Sequence, residues 1–333
     1  MLVQLDPEQA RAVLGAMRRV ATAAGSEPLH DADLSALAAF HRLVLRESSV
    51  LDTGALEETS ARSLAAAVTN AEQRTHVLQF LVVMALVDGD VDAKKIAIVL
   101  DYADALGVHE EAVRQLAELG RGNLAWVRAD IARQNLKSIT GREVDESIDE
   151  WILPYRGASE QPQLAARYRE LARLPVGTLG RTFVEFYRAN SFAFPGEAAG
   201  LNERFASPHD STHILSGYDT SPQGELLVST FTAGMHKEEP MSGHILPVIL
   251  SWHLGIELAK LPGRITGQLD PTKFWAAWER GAEVAVDVFG ASWSLWDAAE
   301  QPLDTLRSRY GIAPLDPALA ASGAVPPWYR PIA

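Results

Sequence analysis

The sequence predicts an all-α protein with two helical domains, the second of which carries a metal site on a pair of helices. Apolar residues recur at three- and four-residue spacing along most of the chain, and N-cap residues and prolines precede many of these runs. No run alternates polar and apolar residues for long enough to predict a strand. A length of 333 residues favours two domains over one.

The first half, residues 1–150, is predicted to be a helical bundle. Its first helix starts at Asp6-Pro7-Glu8, where an N-cap, a first-turn proline and an acid near the positive end of the helix dipole coincide. Gly25 is the predicted stop. Apolar periodicity predicts the later helices of this half as Ala32–Leu45, Ala61–Val68, Gln73–Val87, Ala93–Leu106, Glu110–Leu119 and Arg121–Ile139.

The boundary between the domains is predicted where the helical pattern breaks. Thr140-Gly141 and the acidic stretch Glu143–Glu150 are followed by Pro154, Gly157 and Pro162. The second domain is therefore placed at residues 160–333. Its predicted helices are Leu164–Leu174, Leu179–Tyr187, Glu225–Ala233, Ile245–Leu261 and Phe274–Phe289. The proline-rich tail from Ala313 is predicted to be extended or wrapped rather than helical.

Charge and composition exclude several classes of function. A formal net charge of −13 repels phosphate backbones, so nucleic acid is not expected as a partner. The absence of cysteine removes disulfides, thiolate catalysis and Cys-ligated metals, so a metal must be bound by His, Asp and Glu. No secretory signal and no membrane-spanning run is found. We therefore expect a cytoplasmic protein that is at most peripheral on the inner face of a membrane.

An acidic loop in the first domain is a weaker metal candidate. Asp88, Asp90 and Asp92 alternate as the acids of a calcium loop do, but Ala93 and Val99 replace the glycine and glutamate that such a loop needs. Capping and turn residues between two helices are the alternative. The surrounding run LVVMALVDGDVDAKKIAIVLDYADALGV resembles the helical domain of tellurite-resistance (TerB-like) proteins. That resemblance implies metal binding through the three aspartates.

The strongest chemical pattern lies in the second domain. Ser207-Pro208 is interpreted as an N-cap and first-turn proline. At about 100° per residue, His209, Asp210 and His213 then share an arc of about 100° on one helix. Thr220-Ser221-Pro222 predicts a second helix start, which places Glu225 in the first or second turn. The spacing alone leaves open a metal site, or a dipole-compensating aspartate beside a hydrogen-bonded core histidine.

The order His209-Asp210-x-x-His213-x11-Glu225 resembles the HDxxH-x11-E signature of the coenzyme Q (ubiquinone) biosynthesis family numbered four. The resemblance extends to other segments over roughly residues 165–314: Leu174–Gly180, Phe183, Phe186, Glu239–Met241, Trp296, Pro302–Arg307 and Ile312.

The resemblance implies an all-α protein with a divalent metal, taken as zinc, held by His209, Asp210, His213 and Glu225. It implies a metal-dependent decarboxylase acting on a prenylated hydroxybenzoate, with loss of the ring C1 carboxyl and its replacement by hydroxyl. Other quinone-biosynthesis proteins and a homo-oligomer are the partners expected. Asp210, furthest round the arc, is the candidate labile ligand or proton acceptor and hence the candidate catalytic residue.

Three further residues are candidates for contact with substrate. Arg204 and Lys237 could meet a substrate carboxylate, with a solvated surface role as the alternative. Ile249 lies on the apolar run Ile245–Leu261, which is either core or the wall of a groove for a prenyl tail.

Two other classes of function compete. One is a non-catalytic lipid-binding scaffold in which the metal only orders the helix pair. The other is a metal-dependent phosphohydrolase that uses His209-Asp210 as its HD dyad. That class needs an additional upstream histidine and a distal aspartate, and His41 and His76 belong to the other predicted domain.

Overall fold

The computed structural model describes residues 3–140, 160–256 and 265–329. Within these ranges every regular element is a helix, and one isolated antiparallel bridge joins Thr178 to Pro302. The all-α prediction is confirmed. The α-helices are α1 (Pro7–Ala21), α2 (Asp31–Ala39), α3 (Ala61–Ala67), α4 (Ala71–Met84), α5 (Ala93–Leu106), α6 (Glu111–Gly120), α7 (Leu124–Thr140), α8 (Pro162–Glu170), α9 (Leu179–Asn190), α10 (Glu203–Ser216), α11 (Pro222–Met235), α12 (Leu246–Val248), α13 (Pro271–Ala282), α14 (Leu295–Ala298) and α15 (Leu303–Tyr310).

The described residues also include π-helical and 3-10 segments. Three segments are π-helices: Phe40–Val44, Pro240–Ile245 and Ile249–His253. Three others are single 3-10 turns: Leu171–Arg173, Pro317–Leu319 and Pro327–Tyr329. The tail beyond Ala313 therefore contains short turns and no α-helix among its described residues, as its prolines predict. None of the helices in the described ranges is long and apolar enough to cross a membrane.

The described residues pack as two compact units that do not follow the chain order. Unit 1 takes those within Met1–Asp130, Ile249–Leu258 and Gly263–Glu279. Unit 2 takes those within Ile131–Val248, Ala259–Pro262 and Arg280–Ala333. The division into autonomous domains 1–150 and 160–333 stays a prediction. The helix-breaking residues from Gly141 to Gly157 on which it rests lie outside the described residues.

Unit 1 draws two late segments of the chain into its core. Trp275 is fully buried and makes edge-to-face contacts with Phe40 at 5.5 Å and Phe80 at 5.4 Å. His253 donates its Nε2–H to the carbonyl of Val87 at 3.1 Å and accepts the Leu269 N–H at 3.2 Å. Both nitrogens of this buried histidine are thus satisfied, which makes it a packed core residue.

The acidic loop of unit 1 is built from turn and cap contacts. Asp92 caps α5 by accepting the Lys94 N–H. Asp88 lies 2.5 Å from the ammonium of Lys95, which is 1% exposed and also lies 3.9 Å from Asp33. The Lys95 ammonium thus places a positive charge beside Asp88 and Asp33. Metal binding by Asp88, Asp90 and Asp92 stays a prediction.

Two predicted helices end early. The run predicted as Ile245–Leu261 divides into π, α and π turns up to His253, and its last residues lie outside the described ranges. Pro247 has no N–H for the carbonyl of Gly243, which instead accepts the Asn135 side-chain amide at 2.7 Å. The helix predicted as Phe274–Phe289 ends at Ala282.

Candidate metal centre

Helix α10, which carries the signature residues, begins earlier than the sequence predicts. Its N-cap is Asn202, whose side chain accepts the Arg204 N–H, and Pro208 lies inside the helix. The interpretation of Ser207-Pro208 as the helix start is therefore wrong. Ser207 instead uses its hydroxyl in a 2.5 Å hydrogen bond with the hydroxyl of Tyr168, so a long-range contact replaces the capping role.

Helix α11 begins as predicted. Ser221 is the N-cap and accepts the Gly224 N–H at 3.1 Å, Pro222 is the first helical residue, and Glu225 lies in the first turn. Gly224 permits a close approach, because a Cβ there would lie 1.9 Å from the carbonyl oxygen of Asp219. The turn between α10 and α11 is thereby drawn tight, and Glu225 comes back over α10 as the sequence predicts.

Three side chains converge where α10 meets α11. The Nε2 atoms of His209 and His213 lie 3.2 Å apart. The Glu225 carboxylate lies 3.3 Å from His209 Nε2 through Oε2 and 3.5 Å from His213 Nε2 through Oε1. These three residues form a group whose ligand-type atoms all lie within 4.8 Å of one another, and which could hold a metal ion.

The donor set and its spacing suit a tetrahedral metal. Bonds of about 2.0–2.1 Å around a tetrahedral ion separate neighbouring donor atoms by about 3.3 Å. The two Nε2 atoms are 3.2 Å apart, and they lie 3.3 and 3.5 Å from the two different oxygens of the Glu225 carboxylate, so these separations fall around that value. Two imidazoles and one carboxylate form the His₂Glu set that some catalytic zinc sites use, with the fourth position left for water or substrate. The residues present therefore fit a divalent metal ion.

Contacts of the two rings fix their orientation. His213 donates its Nδ1–H to the carbonyl of Tyr218 at 3.0 Å, because a carbonyl can only accept. Its Nε2 in the neutral ring then carries the lone pair that faces His209 and Glu225. Phe186 stacks on the His213 ring with centroids 5.7 Å apart, and Phe205 stacks on the His209 ring at 4.7 Å.

Electrostatics also favours cation binding here. Burial by itself raises the pKa of Glu225, but the neighbouring His213 and His209 outweigh it and hold that pKa well below its usual range. Burial by itself lowers the pKa of His213, yet the Glu225 carboxylate raises it above the ordinary value. The carboxylate is therefore ionised and attracts positive charge to the point between the rings, where a proton or a divalent ion satisfies it.

Asp210 takes a different position from the other signature residues. Its carboxyl is 3% exposed and accepts the Tyr187 hydroxyl at 2.5 Å, and it is not part of the three-residue ligand group. Burial raises the pKa of Asp210, against the lowering effect of His209 and of the Tyr187 hydroxyl. Burial likewise raises the pKa of Tyr187 well above its ordinary value. The Asp210 carboxyl, paired with a buried hydroxyl of α9, thus directly follows His209 along α10.

The remaining candidates do not join this cluster. Arg204 and Lys237 are exposed, as the surface alternative expects. Ile249 is fully buried and belongs to unit 1. His41 and His76 also belong to unit 1, and the ligand group found among the described residues includes neither of them. The extra histidine that a phosphohydrolase would need is thus not among the members of this group.

Sequence patterns missed the groups that fasten the end of α10. Arg307 donates to the carbonyls of Ile214 at 2.9 Å and Leu215 at 3.2 Å, and Arg280 donates to the carbonyl of Ser216 at 3.0 Å. Two buried guanidinium groups thereby satisfy carbonyls at the negative end of the helix dipole. Arg307 lies in Pro302–Arg307, one of the segments on which the family resemblance rests, so the sequence offered a reason to single it out. Arg280 lies in no such segment or motif.

Comparison with known proteins adds little beyond these observations. No protein-family model matches the chain, and no curated protein matches it. Among solved structures, the chain is similar to a crystal structure named "Putative ubiquinone biosynthesis protein" from Nostoc punctiforme PCC 73102. The sequence identity is 19%, the TM-score is 0.31, and the match covers 61% of this chain and 95% of that chain. A TM-score of this size does not establish a shared fold, so the chemistry of this protein has to come from its own residues.

Proposed function

We propose that this protein binds one divalent metal ion, zinc in the first instance, through Nε2 of His209, Nε2 of His213 and the carboxylate of Glu225. The observation that carries the proposal is the convergence of these groups: the two Nε2 atoms lie 3.2 Å apart, and each lies within 3.5 Å of one oxygen of the Glu225 carboxylate, close to the donor separations of a tetrahedral site. The hydrogen bond from His213 Nδ1 to the Tyr218 carbonyl supports it, because it leaves Nε2 free to ligate.

The proposed centre is catalytic rather than purely structural. Three protein ligands leave a coordination position for substrate, whereas structural zinc sites are closed by four. A bound divalent ion would supply Lewis acidity towards a ring carboxylate or phenolate. Glu225 is 26% exposed and His209 is 14% exposed, so the ligand group is reached from solvent on their side, while His213 at 1% forms its buried wall.

The proposed substrate is a prenylated hydroxybenzoate of quinone biosynthesis, on the strength of the HDxxH-x11-E signature that α10 and α11 carry. The proposed reaction removes the C1 carboxyl as carbon dioxide and installs a hydroxyl there. That exchange takes two electrons from the ring, so an oxidant such as dioxygen must accept them. The proposed role of Asp210 is to hold a proton beside the substrate, with Tyr187 fixing its carboxyl.

The partners follow from this assignment and are part of the same proposal. Other quinone-biosynthesis proteins would deliver the prenylated ring and take up the product, in a homo-oligomer of this chain or a mixed assembly. The lipid-binding scaffold is the second outcome that the test below distinguishes.

Metal analysis tests the centre. Purified protein, stripped with a chelator and reloaded, should hold about one zinc per chain. His213→Ala and Glu225→Gln should each abolish stoichiometric binding, whereas His76→Ala, which changes a histidine of unit 1, should not. Full occupancy in a His209→Ala/His213→Ala double variant would overturn the proposal.

Product analysis separates enzyme from scaffold. Zinc-loaded protein should be incubated with a prenylated hydroxybenzoate labelled at the carboxyl carbon, in air and under argon. An enzyme releases labelled carbon dioxide and forms the hydroxylated ring only when an oxidant is present. Tight binding of the ligand without release of label would leave the metal centre intact and favour the scaffold.

A further inference from the structure

The C-terminal turn Pro327–Tyr329 packs against the elements that carry the candidate metal centre. It contacts both α9 and α10. Trp328 meets the ring of Phe186 edge to face at 5.2 Å and 89°. Phe186 in turn stacks on His213 at 5.7 Å and 28°. The His213 imidazole thus stacks on an aromatic ring that the tail in turn contacts.

Tyr329 reaches the same histidine by a second route. Gly217, the residue after α10, adopts a left-handed conformation with φ of 87°. A Cβ at this position would lie 2.5 Å from Cδ2 of Tyr329, so the tyrosine ring lies directly against the turn. The next residue, Tyr218, offers the carbonyl that accepts the His213 Nδ1–H. The tail therefore supports the peptide that sets the tautomer of His213.

Polar contacts fix the tail in this position. Arg307 donates to the Tyr329 carbonyl at 3.3 Å and lies over its ring at 4.1 Å. The same guanidinium binds the carbonyls of Ile214 and Leu215 at the end of α10. The hydroxyl of Tyr329 accepts the Leu315 N–H at 2.7 Å. One arginine thus joins the last turn of the metal-carrying helix to the tail.

We propose that Trp328 and Tyr329 are positioning residues for His213, so that the docked C-terminal turn is a working part of the metal centre. Trp328 acts through Phe186 on the plane of the imidazole, and Tyr329 acts through Gly217 and Tyr218 on its Nδ1 hydrogen bond. The inference rests on the proposed metal function. Changes to groups that orient a ligating histidine typically cost about 10–100-fold in metal affinity, although they touch no metal.

The chain offers matched controls for both residues. Trp293 is also a half-buried tryptophan of unit 2, and Tyr310 is also a buried tyrosine of unit 2. The indole N–H of Trp293 donates to the Tyr310 hydroxyl at 3.1 Å, and Arg309 lies over the Tyr310 ring. Replacing these residues removes similar apolar area from unit 2 without changing Trp328 or Tyr329.

The test is a zinc-affinity measurement on full-length protein by competition with a chromophoric chelator. Trp328→Leu and Tyr329→Leu should weaken affinity by about tenfold or more, while Trp293→Leu and Tyr310→Leu should stay within about twofold of wild type. Tyr329→Phe keeps the ring against Gly217 and should restore affinity to near the wild-type value. Far-UV circular dichroism and denaturant midpoints should be similar for each variant and its control.

Each outcome has a distinct meaning. Unchanged zinc affinity in Trp328→Leu and Tyr329→Leu, with normal wild-type binding, would overturn the positioning role and leave the metal centre standing. An equal loss in the controls would reassign the effect to general destabilisation and would also overturn it. If wild-type protein binds no zinc, the proposed function fails and the inference fails with it.

Discussion

His213 donates its Nδ1–H to the carbonyl oxygen of Tyr218 at 3.0 Å, across the left-handed turn that ends its own helix. Five residues of chain thus fold back to set the tautomer of a buried imidazole. Gly217 lies between the end of α10 and Tyr218 and adopts a φ of 87°, a left-handed conformation that favours glycine. The C-cap of α10 and the orientation of a candidate metal ligand therefore involve the same turn.

Gly217→Ala should therefore damage both stability and metal binding. A left-handed alanine costs about 1–2 kcal/mol, and the methyl would also displace the Tyr329 ring, at a further cost of about 1–3 kcal/mol. Gly323→Ala is the control, since Gly323 has φ of 73° and no atom within 4 Å of its would-be Cβ. Urea unfolding should show a clearly larger loss for Gly217→Ala. Equal losses of unfolding free energy in the two variants would mean that the contact between Gly217 and Tyr329 does not contribute to stability.

Asp210 and Glu225 should respond differently to loss of charge. Asp210→Asn keeps an oxygen that can accept the Tyr187 hydroxyl, so zinc affinity should change by only a few-fold while turnover falls. Glu225→Gln places a neutral amide between the two imidazoles and should abolish tight binding. Zinc titration of both variants, alongside product analysis, checks this. Loss of the metal in Asp210→Asn would identify Asp210 as a fourth ligand, as the family resemblance implies.

Replacing the buried Lys95 should lower the free energy of unfolding far more than replacing the exposed Lys94. Lys95 is 1% exposed between Asp88 and Asp33, and Lys95→Met would remove their buried cation and leave them the exposed His30 ring at 3.7 to 3.8 Å, at a cost of about 3–5 kcal/mol. Lys94 pairs with Glu27 at 3.2 Å but is 65% exposed, so Lys94→Met should cost about 0–1 kcal/mol. Chemical denaturation measures both. A small effect of Lys95→Met would show that the acids find another partner, such as a bound cation.

The ion pair between His236 and Asp287 should make stability depend on pH. Burial by itself lowers the pKa of His236, but Asp287, 2.7 Å from its Nδ1, raises it above the ordinary value. The contribution of the pair is therefore complete below about pH 6.5, the ordinary value for histidine, and is lost as pH rises through the raised pKa. The neighbouring His244 does not share this behaviour, because burial lowers its pKa well below the ordinary value.

Asp287→Asn tests this relationship. The wild type should exceed the variant in free energy of unfolding at pH 5.5, and the difference should shrink towards pH 9. Asp304→Asn is the control, because Asp304 pairs with Arg307, which stays charged throughout this range. A pH-independent difference for Asp287→Asn would show that His236 is not charged in the folded protein.

Local sequence rules predicted most of the helices and the core of the candidate site. Asp6 with Pro7, and Ser221 with Pro222, start helices where capping chemistry says they should. Helical spacing put His209 and His213 on one face, and the second helix start brought Glu225 back to them. The helix starts and the shared face of His209 and His213 depend on residues within about four positions of one another, which is the range that capping hydrogen bonds and helical periodicity control.

The failures also have physical reasons. The order Ser207-Pro208 predicts an N-cap at Ser207, but Asn202 caps the helix and the Ser207 hydroxyl forms a hydrogen bond with the hydroxyl of Tyr168. The apolar run from Ile245 reads as one helix, yet Pro247 and the side chain of Asn135 redirect its carbonyls. In each case a hydrogen bond to a residue far away in the sequence replaces the local contact that the sequence pattern predicts.

The sequence by itself determined that this protein is helical and that two histidines and a glutamate share a spacing suited to a metal. Only the tertiary structure decided which signature residues converge, because Asp210 accepts the Tyr187 hydroxyl and is not part of the group of His209, His213 and Glu225. It also decided that Arg307, Trp328 and Tyr329, about a hundred residues after the signature, contact Ile214, Phe186 and Gly217 around His213. The spacing of residues along a helix determines the direction in which each side chain leaves the helix axis. The distances from those side chains to residues of other helices depend on how the other helices pack against it.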